Sequence, residues 1–457
     1  MNDILTGPFI RKKKYKARDP YDTITIIRNI LADCDIFVSE NNSYFEEADI
    51  SSCRIWIADE DVSFADFGTN GKGMTARYSL ASAYGEFMER LQSMILFGDY
   101  AENAYRNSLT RYMCAPDEVM LSAGETLENC GDILSVLMRT DLKSAFRGTH
   151  LPEGRMPSVP FYDVINDRTV LLPCKTLRMV TGSNGMAAGN TFKEAFIQGL
   201  SELYERAAVL EAYRDNPSIP LLRQELFKGN AVYDKLERLK MYGFDVKILD
   251  LSMGKGYPVT GLHLCAGGAK AFRAGADPCP VTALERCVTE MFQGSSREEV
   301  TRRFRRECLE PFPSMTDERR RMDANMAEIS YHVDESGLIA DCLYNPSDIY
   351  SRSFRGTFAE SEKADLDYLA DLTRELGWGL YVRDWSFLGF PACQILIPEA
   401  SNYDLIYENG ADVFAWSFEE LRFRNDRITE GCAARLNRLF EKYEDNIPLQ
   451  DKSMDIK

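Results

Sequence analysis

A chain of 457 residues exceeds one simple core and implies two or three subdomains, or one elaborate unit. With 45% hydrophobic and 11% aromatic residues it can bury a large core, which excludes global disorder. A formal net charge of −17 repels phosphate backbones and anionic lipid, so generic nucleic-acid and membrane-surface binding are disfavoured.

The chain opens with the basic run Arg11-Lys12-Lys13-Lys14-Tyr15-Lys16-Ala17-Arg18, whose ordinary reading is a solvated tail. No long apolar segment follows it, so no signal peptide is read, and no stretch reaches the roughly 20 apolar residues of a membrane span. Residues 1–60 form a first region: this arm, an amphipathic helix over 21–32 and a strand at 54–58. Residues 68–73 (Gly-Thr-Asn-Gly-Lys-Gly) read as a glycine-rich turn, and a helix capped by Thr75 runs to about 96. Residues 103–160 are polar and read as an irregular insertion. A strand at 170–173, a second glycine-rich turn at 182–189 and a helix over 190–213 follow. Strands at 245–250 and 258–265 and a helix over 280–293 precede a charged section with 302–306 and 318–322. A helix over 362–376, strands at 380–384 and 393–398, a final helix over 418–443 and a frayed end from 446 complete an α+β chain.

The 12 cysteines form no C-x-x-C pair and sit singly in apolar stretches, as Cys265 and Cys393 do. They read as reduced, buried thiols of a cytoplasmic protein. The three histidines, His150, His263 and His332, are scattered, so neither a zinc site nor a Ser-His-Asp triad is supported. His263, inside the apolar run 259–265, reads as a core histidine.

One pattern recurs. Gly68-Thr69-Asn70-Gly71 precedes Glu86-Phe87-Met88-Glu89-Arg90, and Gly182-Ser183-Asn184-Gly185 precedes Glu202-Leu203-Tyr204-Glu205-Arg206. Each is a G-x-N-G turn followed by a helix bearing E-x-x-E-R. On a wheel with Asn190 at zero, Glu194 falls at about 40°, Glu205 at about 60°, Gln198 at about 80° and Glu202 at about 120°, opposite Phe196, Leu200 and Leu203. A solvated face normally mixes lysine with glutamate, because like charges at this spacing destabilise a helix. Here no lysine lies in the sector. The first helix places Ser82, Glu86, Glu89 and Arg90 together, and the third Arg286, Glu290 and Gln293. Such oxygen-rich seams suit Mg²⁺ with a polyanion, and glycine-opened helices suit phosphate. Separate structural salt-bridge networks remain the alternative reading of the same residues. No Walker A sequence is present.

Taken together, these segments resemble the YcaO family. The matching stretches are Thr69-Asn70-Gly71-Lys72-Gly73, residues 82–91, Ser183-Asn184-Gly185-Met186, Ala188-Gly189-Asn190-Thr191, Gly199-Leu200-Ser201-Glu202 with Glu205-Arg206, and residues 283–290. Ser336-Gly337-Leu338-Ile339 and Leu388-Gly389 with Ala392-Cys393 also look alike, so the likeness spans roughly residues 10–410. It implies an α+β fold of mixed and antiparallel sheets with packed helices, and an ATP site between subdomains of a catalytic domain over 61–410, followed by a helical tail over 411–457. It implies ATP contacts at Lys16, Ser82, Glu86, Glu89, Asn190, Glu194, Glu202, Glu205, Arg206, Arg286 and Glu290. Of these, Glu86, Glu89, Glu194, Glu202, Glu205 and Glu290 would hold Mg²⁺, and Glu202, Glu205, Arg206 and Arg286 would carry catalysis.

The activity so implied is ATP-dependent O-phosphorylation of a backbone amide. The chain looks most like the stand-alone branch, implicated in aspartate β-methylthiolation of ribosomal protein S12 beside a methylthiotransferase. Other branches form thioamides, amidines or azolines in precursor peptides, and a non-catalytic ATP-binding accessory is a further alternative. The partners implied are a peptide or ribosomal protein substrate, a methylthiotransferase or sulfur-transfer protein, and a second copy of the chain. Three departures stand out. Residue 187 is alanine where the nearest branch tends to serine, a C-terminal helical-repeat domain is expected to be absent, and the proline-rich ending of azoline-forming members is missing.

Overall fold

The structure, a computed structural model, describes residues 4–5, 7–12, 14–58, 67–267, 269–293, 310–312, 338–358, 361–402, 410–419 and 430–450. The charged section at 302–306 and 318–322, His332, Ser336-Gly337 and residues 451–457 lie outside the described residues.

Helix α1 (Pro20–Asp33) starts at Asp19, whose carboxylate accepts from the Tyr21 N–H, with Pro20 pre-set for the first turn. Strands β1 (Val38–Phe45), β2 (Ile50–Ile57) and β3 (Gly68–Gly73) pair in that order as an antiparallel sheet. Residues 68–73, expected as a turn, are therefore a strand. Their glycines serve packing. Helix α2 (Ala76–Gln92) lies so close that a Cβ on Gly71 would overlap the Ser79 carbonyl oxygen, and one on Gly73 the Ser79 amide. Thr75 caps α2 as expected, and the helix buries Tyr84, Phe87, Met88 and Leu91.

Residues 103–160 are not irregular. They hold the end of α3 (Gly98–Arg106), β4 (Val119–Ser122), α4 (Ala123–Leu137), α5 (Leu142–Ala145) and the start of β5 (Arg155–Asp163). A Ser122/Glu125 capping box opens α4, whose Leu127, Ile133, Leu134 and Leu137 enter the first core. The polar outer faces of these helices obscured that periodicity.

Next come β6 (Arg168–Pro173), α6 (Cys174–Thr181), β7 (Met186–Ala188), α7 (Phe192–Asp215), β8 (Leu221–Leu222), α8 (Ala231–Met241), β9 (Asp245–Asp250), β10 (Val259–Ala266), β11 (Ala269–Ala276) and α9 (Pro280–Met291). A short parallel pair, β12 (Glu310–Phe312) and β13 (Leu338–Ala340), leads to α10 (Asp341–Tyr344), α11 (Glu362–Glu375), β14 (Tyr381–Asp384), β15 (Ala392–Leu396), α12 (Gly410–Phe418) and α13 (Glu430–Glu444). The single final helix expected over 418–443 is thus represented by the end of α12 and by α13. A second sheet runs β11-β10-β9-β8, and a third β4-β5-β14-β15-β7, with β6 on β5. The mixed helices and antiparallel sheets agree with the expected α+β class.

Helix α7 sits at the centre, against β7 and β15 on one side and β10 and β11 on the other. Thr191 caps it, its hydroxyl accepting from the Glu194 N–H at 3.0 Å, and Asn216 ends it in the left-handed region. Phe196, Leu200 and Leu203, the expected core face, are fully buried, as are Tyr204 and Ala208 on neighbouring faces. Helix α9 packs Leu284, Cys287, Val288 and Met291 into a further core with Leu262 and Leu264. Its approach to β11 is close: a Cβ on Gly275 would overlap the Ala283 carbonyl oxygen.

His263 on β10 is 3% exposed, as the sequence implied. Burial, with Lys270 adding, lowers it from 6.5 to about 4. Below pH 6.5 the unfolded chain takes up a proton that the folded protein refuses, so stability falls as the pH drops. His263 alone accounts for about 3 kcal/mol of that loss by pH 4. Urea unfolding of His263→Leu between pH 7 and pH 4 should show a shallower decline than the parent, and equal slopes would refute this assignment.

Candidate functional site

The basic arm is not a solvated tail. Phe9 is fully buried against Phe227 and Phe358, and Arg11 pairs with Glu285 in the middle of α9. Tyr15 meets Tyr78 of α2 edge-on at 5.1 Å. Lys16 Nζ lies 3.0 Å from Glu194 Oε1, and the Ala17 N–H donates to Glu194 Oε2 at 3.1 Å. The arm thus crosses from α9 to the start of α7. Thr23 of α1 donates to Asn190 Oδ1 at 2.6 Å, and the Asn190 amide reaches Glu194 at 3.4 Å. Burial pushes the Glu194 carboxyl up, but Lys16, Ala17 and Asn190 outweigh it and hold the group below its ordinary value.

Two and three turns further along α7, Glu202 and Glu205 lie within electrostatic reach of Lys72 of β3, and Glu202 also of Glu86 of α2. Burial first, then Glu205 and Glu86, push the Glu202 carboxyl up to about 7 against the pull of Arg206 and Lys72. Glu89 of α2 is also raised, by burial and then by Glu86 and Glu202. Glu86 itself pairs with Arg90 at 2.6 Å. Lys72 of β3 enters the middle of this group. It forms an ion pair with Glu290 of α9 and is in electrostatic contact with Glu205, Glu86 and Glu202. Burial lowers Lys72 below its ordinary value, opposed chiefly by Glu205.

Arg286, one turn before Glu290 on α9, donates to Asp277 Oδ2 at 3.2 Å. Lys16, Glu194, Gln198, Asp277, Arg286 and Glu362 line an open cleft of about 450 Å³ between the arm, α7 and α9. Ser82 is half-buried on α2, one turn before Glu86. The structure therefore brings Glu86, Glu89, Glu202, Glu205 and Glu290 to one region around Lys72. Lys16, Asn190 and Glu194 form a neighbouring group under the arm, and Arg286 lies on the cleft wall with Asp277.

The donor set is oxygen-rich, which fits Mg²⁺. Among the described residues, no group of three or more His, Cys, Asp or Glu side chains is arranged to hold a metal ion alone. The sequence reading missed Lys72 as a site residue, together with Arg11, Glu285 and Asp277. Lys72 lay in view within Gly71-Lys72-Gly73. Its role was hidden because a glycine turn would have pointed it to solvent, whereas β3 aims it at the helices.

With this geometry in hand, comparison with known proteins assigns the class. Residues 70–401 match the family described as YcaO cyclodehydratase, ATP- and Mg²⁺-binding, and the chain belongs to that family. ATP and Mg²⁺, the cofactors expected from the sequence, are the ones by which this family is described. The chain is 31% identical over 351 residues to the ribosomal protein S12 methylthiotransferase accessory factor YcaO of Escherichia coli (strain K12), covering 73% of this chain and 57% of that protein. It is 28% identical over 367 residues to an uncharacterized protein of Haemophilus influenzae, covering 76% and 60%. It thus spans less than two thirds of the length of the curated relatives it matches. Among solved structures, a heterocyclase in complex with substrate and cofactor has the same fold, with a TM-score of 0.57 at 15% identity over 87% of this chain and 54% of the other. The YcaO of Methanopyrus kandleri, bound with AMPPCP and Mg²⁺, gives 0.54 at 16% identity over 88% and 96%.

The seating of the arm is testable by stability. Arg11→Ala leaves the buried Glu285 carboxylate without its cation and should cost about 3 kcal/mol in denaturant unfolding. The double variant R11A/E285Q should recover more than half of that loss. Additive effects would show that the two side chains do not interact.

Proposed function

We propose that this protein activates a backbone amide of a peptide or protein by ATP-dependent O-phosphorylation of the carbonyl oxygen. The activated carbon is then open to a nucleophile, and phosphate leaves. The observation that carries this reading is the gathering of glutamates from α2, α7 and α9 near one half-buried lysine, with Arg206 also in the seam. Phosphoryl transfer demands positioning and charge stabilisation more than covalent chemistry, and this arrangement offers both.

Under this reading Glu86, Glu89, Glu194, Glu202, Glu205 and Glu290 hold Mg²⁺, which when bound neutralises phosphate charge. Lys16, Arg206 and Arg286 face the phosphates, Ser82 and Asn190 add polar contacts, and Glu202, Glu205, Arg206 and Arg286 set the reacting groups. The arm, anchored at Arg11 and Lys16, excludes water from one side. The E. coli relative supports an accessory role in modification of ribosomal protein S12, beside a methylthiotransferase or sulfur-transfer protein. A cytoplasmic homodimer is part of this reading. The described cysteines are free thiols, and no described helix is long and apolar enough to cross a membrane.

Millimolar Mg-ATP should raise the melting temperature by several degrees, as occupancy near 100 times Kd contributes about 2.7 kcal/mol. No shift would sink the reading. Glu202→Gln should keep the fold, because its face is not the core face of α7, and lower ATP turnover by about 100-fold or more. Full turnover in that variant would remove Glu202 from the site.

A further inference from the structure

Lys72 shares the acidic seam with two arginines, Arg90 and Arg206, and is the cation that comes to it from the sheet rather than from the helices that carry the carboxylates. It projects from β3, a strand held against α2 by the glycines on either side of it. It forms an ion pair with Glu290 of α9, and its charge is felt by, and feels, the carboxylates of Glu86 on α2 and of Glu202 and Glu205 on α7. Without a cation these carboxylates would repel one another in a half-buried setting, where such repulsion is strong. A divalent ion entering the seam must compete with an ammonium already placed there.

We propose that Lys72 is the resident counter-ion of the metal-free site, that Mg²⁺ loading requires its ammonium to leave the carboxylates, and that it then turns toward the nucleotide phosphates. This rests on the nucleotide and metal reading given above. Lysine suits the role because its ammonium is a point charge on a flexible four-carbon stem. Each loading event therefore exchanges one cation for another, and the seam always carries compensating charge. By linkage, whatever the lysine contributes to the metal-free protein is subtracted from Mg²⁺ affinity.

The test uses the full chain, MgCl₂ without nucleotide, and Lys72→Met, Lys72→Gln and Lys72→Arg. The Met and Gln variants should melt below the parent in the absence of Mg²⁺ and bind Mg²⁺ about tenfold more tightly by calorimetry. Their KM for ATP should rise, while Lys72→Arg stays near the parent in both measurements. Unchanged or weaker Mg²⁺ binding in both neutral variants overturns the proposal. So does a failure of both to fold with Mg²⁺ present, since the metal should replace the lost charge. A parent protein that responds to neither Mg²⁺ nor Mg-ATP defeats the nucleotide reading itself. A parent that responds while its neutral variants respond identically defeats only the role of Lys72.

Discussion

The constraint on which the site depends is electrostatic: several carboxylates on three helices face one half-buried seam. Like charges so arranged repel, and burial adds to the cost of ionising them. The raised Glu89 and Glu202 carboxyls record that tension. The fold tolerates it because the strongly packed faces lie elsewhere. Phe87 and Met88 of α2, Phe196 and Leu200 of α7, and Leu284 and Val288 of α9 anchor the helices in their cores. The helices that carry the acidic seam are thus held together from behind.

That division of labour explains what was legible in the sequence. The helix carrying Asn190, Glu194, Glu202 and Glu205 could be read with its core face, because its apolar and acidic residues segregate at the helical period. Thr75 marks its helix start by standard capping chemistry, whereas α7 begins two residues later than the expected Asn190, with Thr191 as its cap. Other elements were hidden for stated reasons. β3 has three glycines where a strand would show β-branched residues, because α2 approaches too closely for any Cβ at Gly71 or Gly73. β5 and β11 were missed, since Pro157 and Pro160 interrupt the one and small residues such as Ala271, Ala274 and Gly275 blur the other. The family resemblance carried the assignment of ATP contacts; the wheel geometry alone left a salt-bridge network equally open.

Long-range pairings were the least legible of all. Arg11 with Glu285, Lys16 with Glu194 and Arg383 with Asp117 join residues that no local period connects. In the last of these Arg383 is fully buried, its guanidinium stacked over Trp385 at 4.0 Å, while Asp117 is partly exposed. Such pairs are specified by topology, and a sequence shows only their ends.

The arm has a consequence in time as well as in space. Residues 9–12 and 14–18 are synthesised before the residues that seat them, Glu194, Phe227, Glu285 and Phe358. This wall of the site therefore cannot settle until residue 358 has been synthesised and α9 has docked. During synthesis the acidic seam stays open on that side, and closing it is among the last acts of folding.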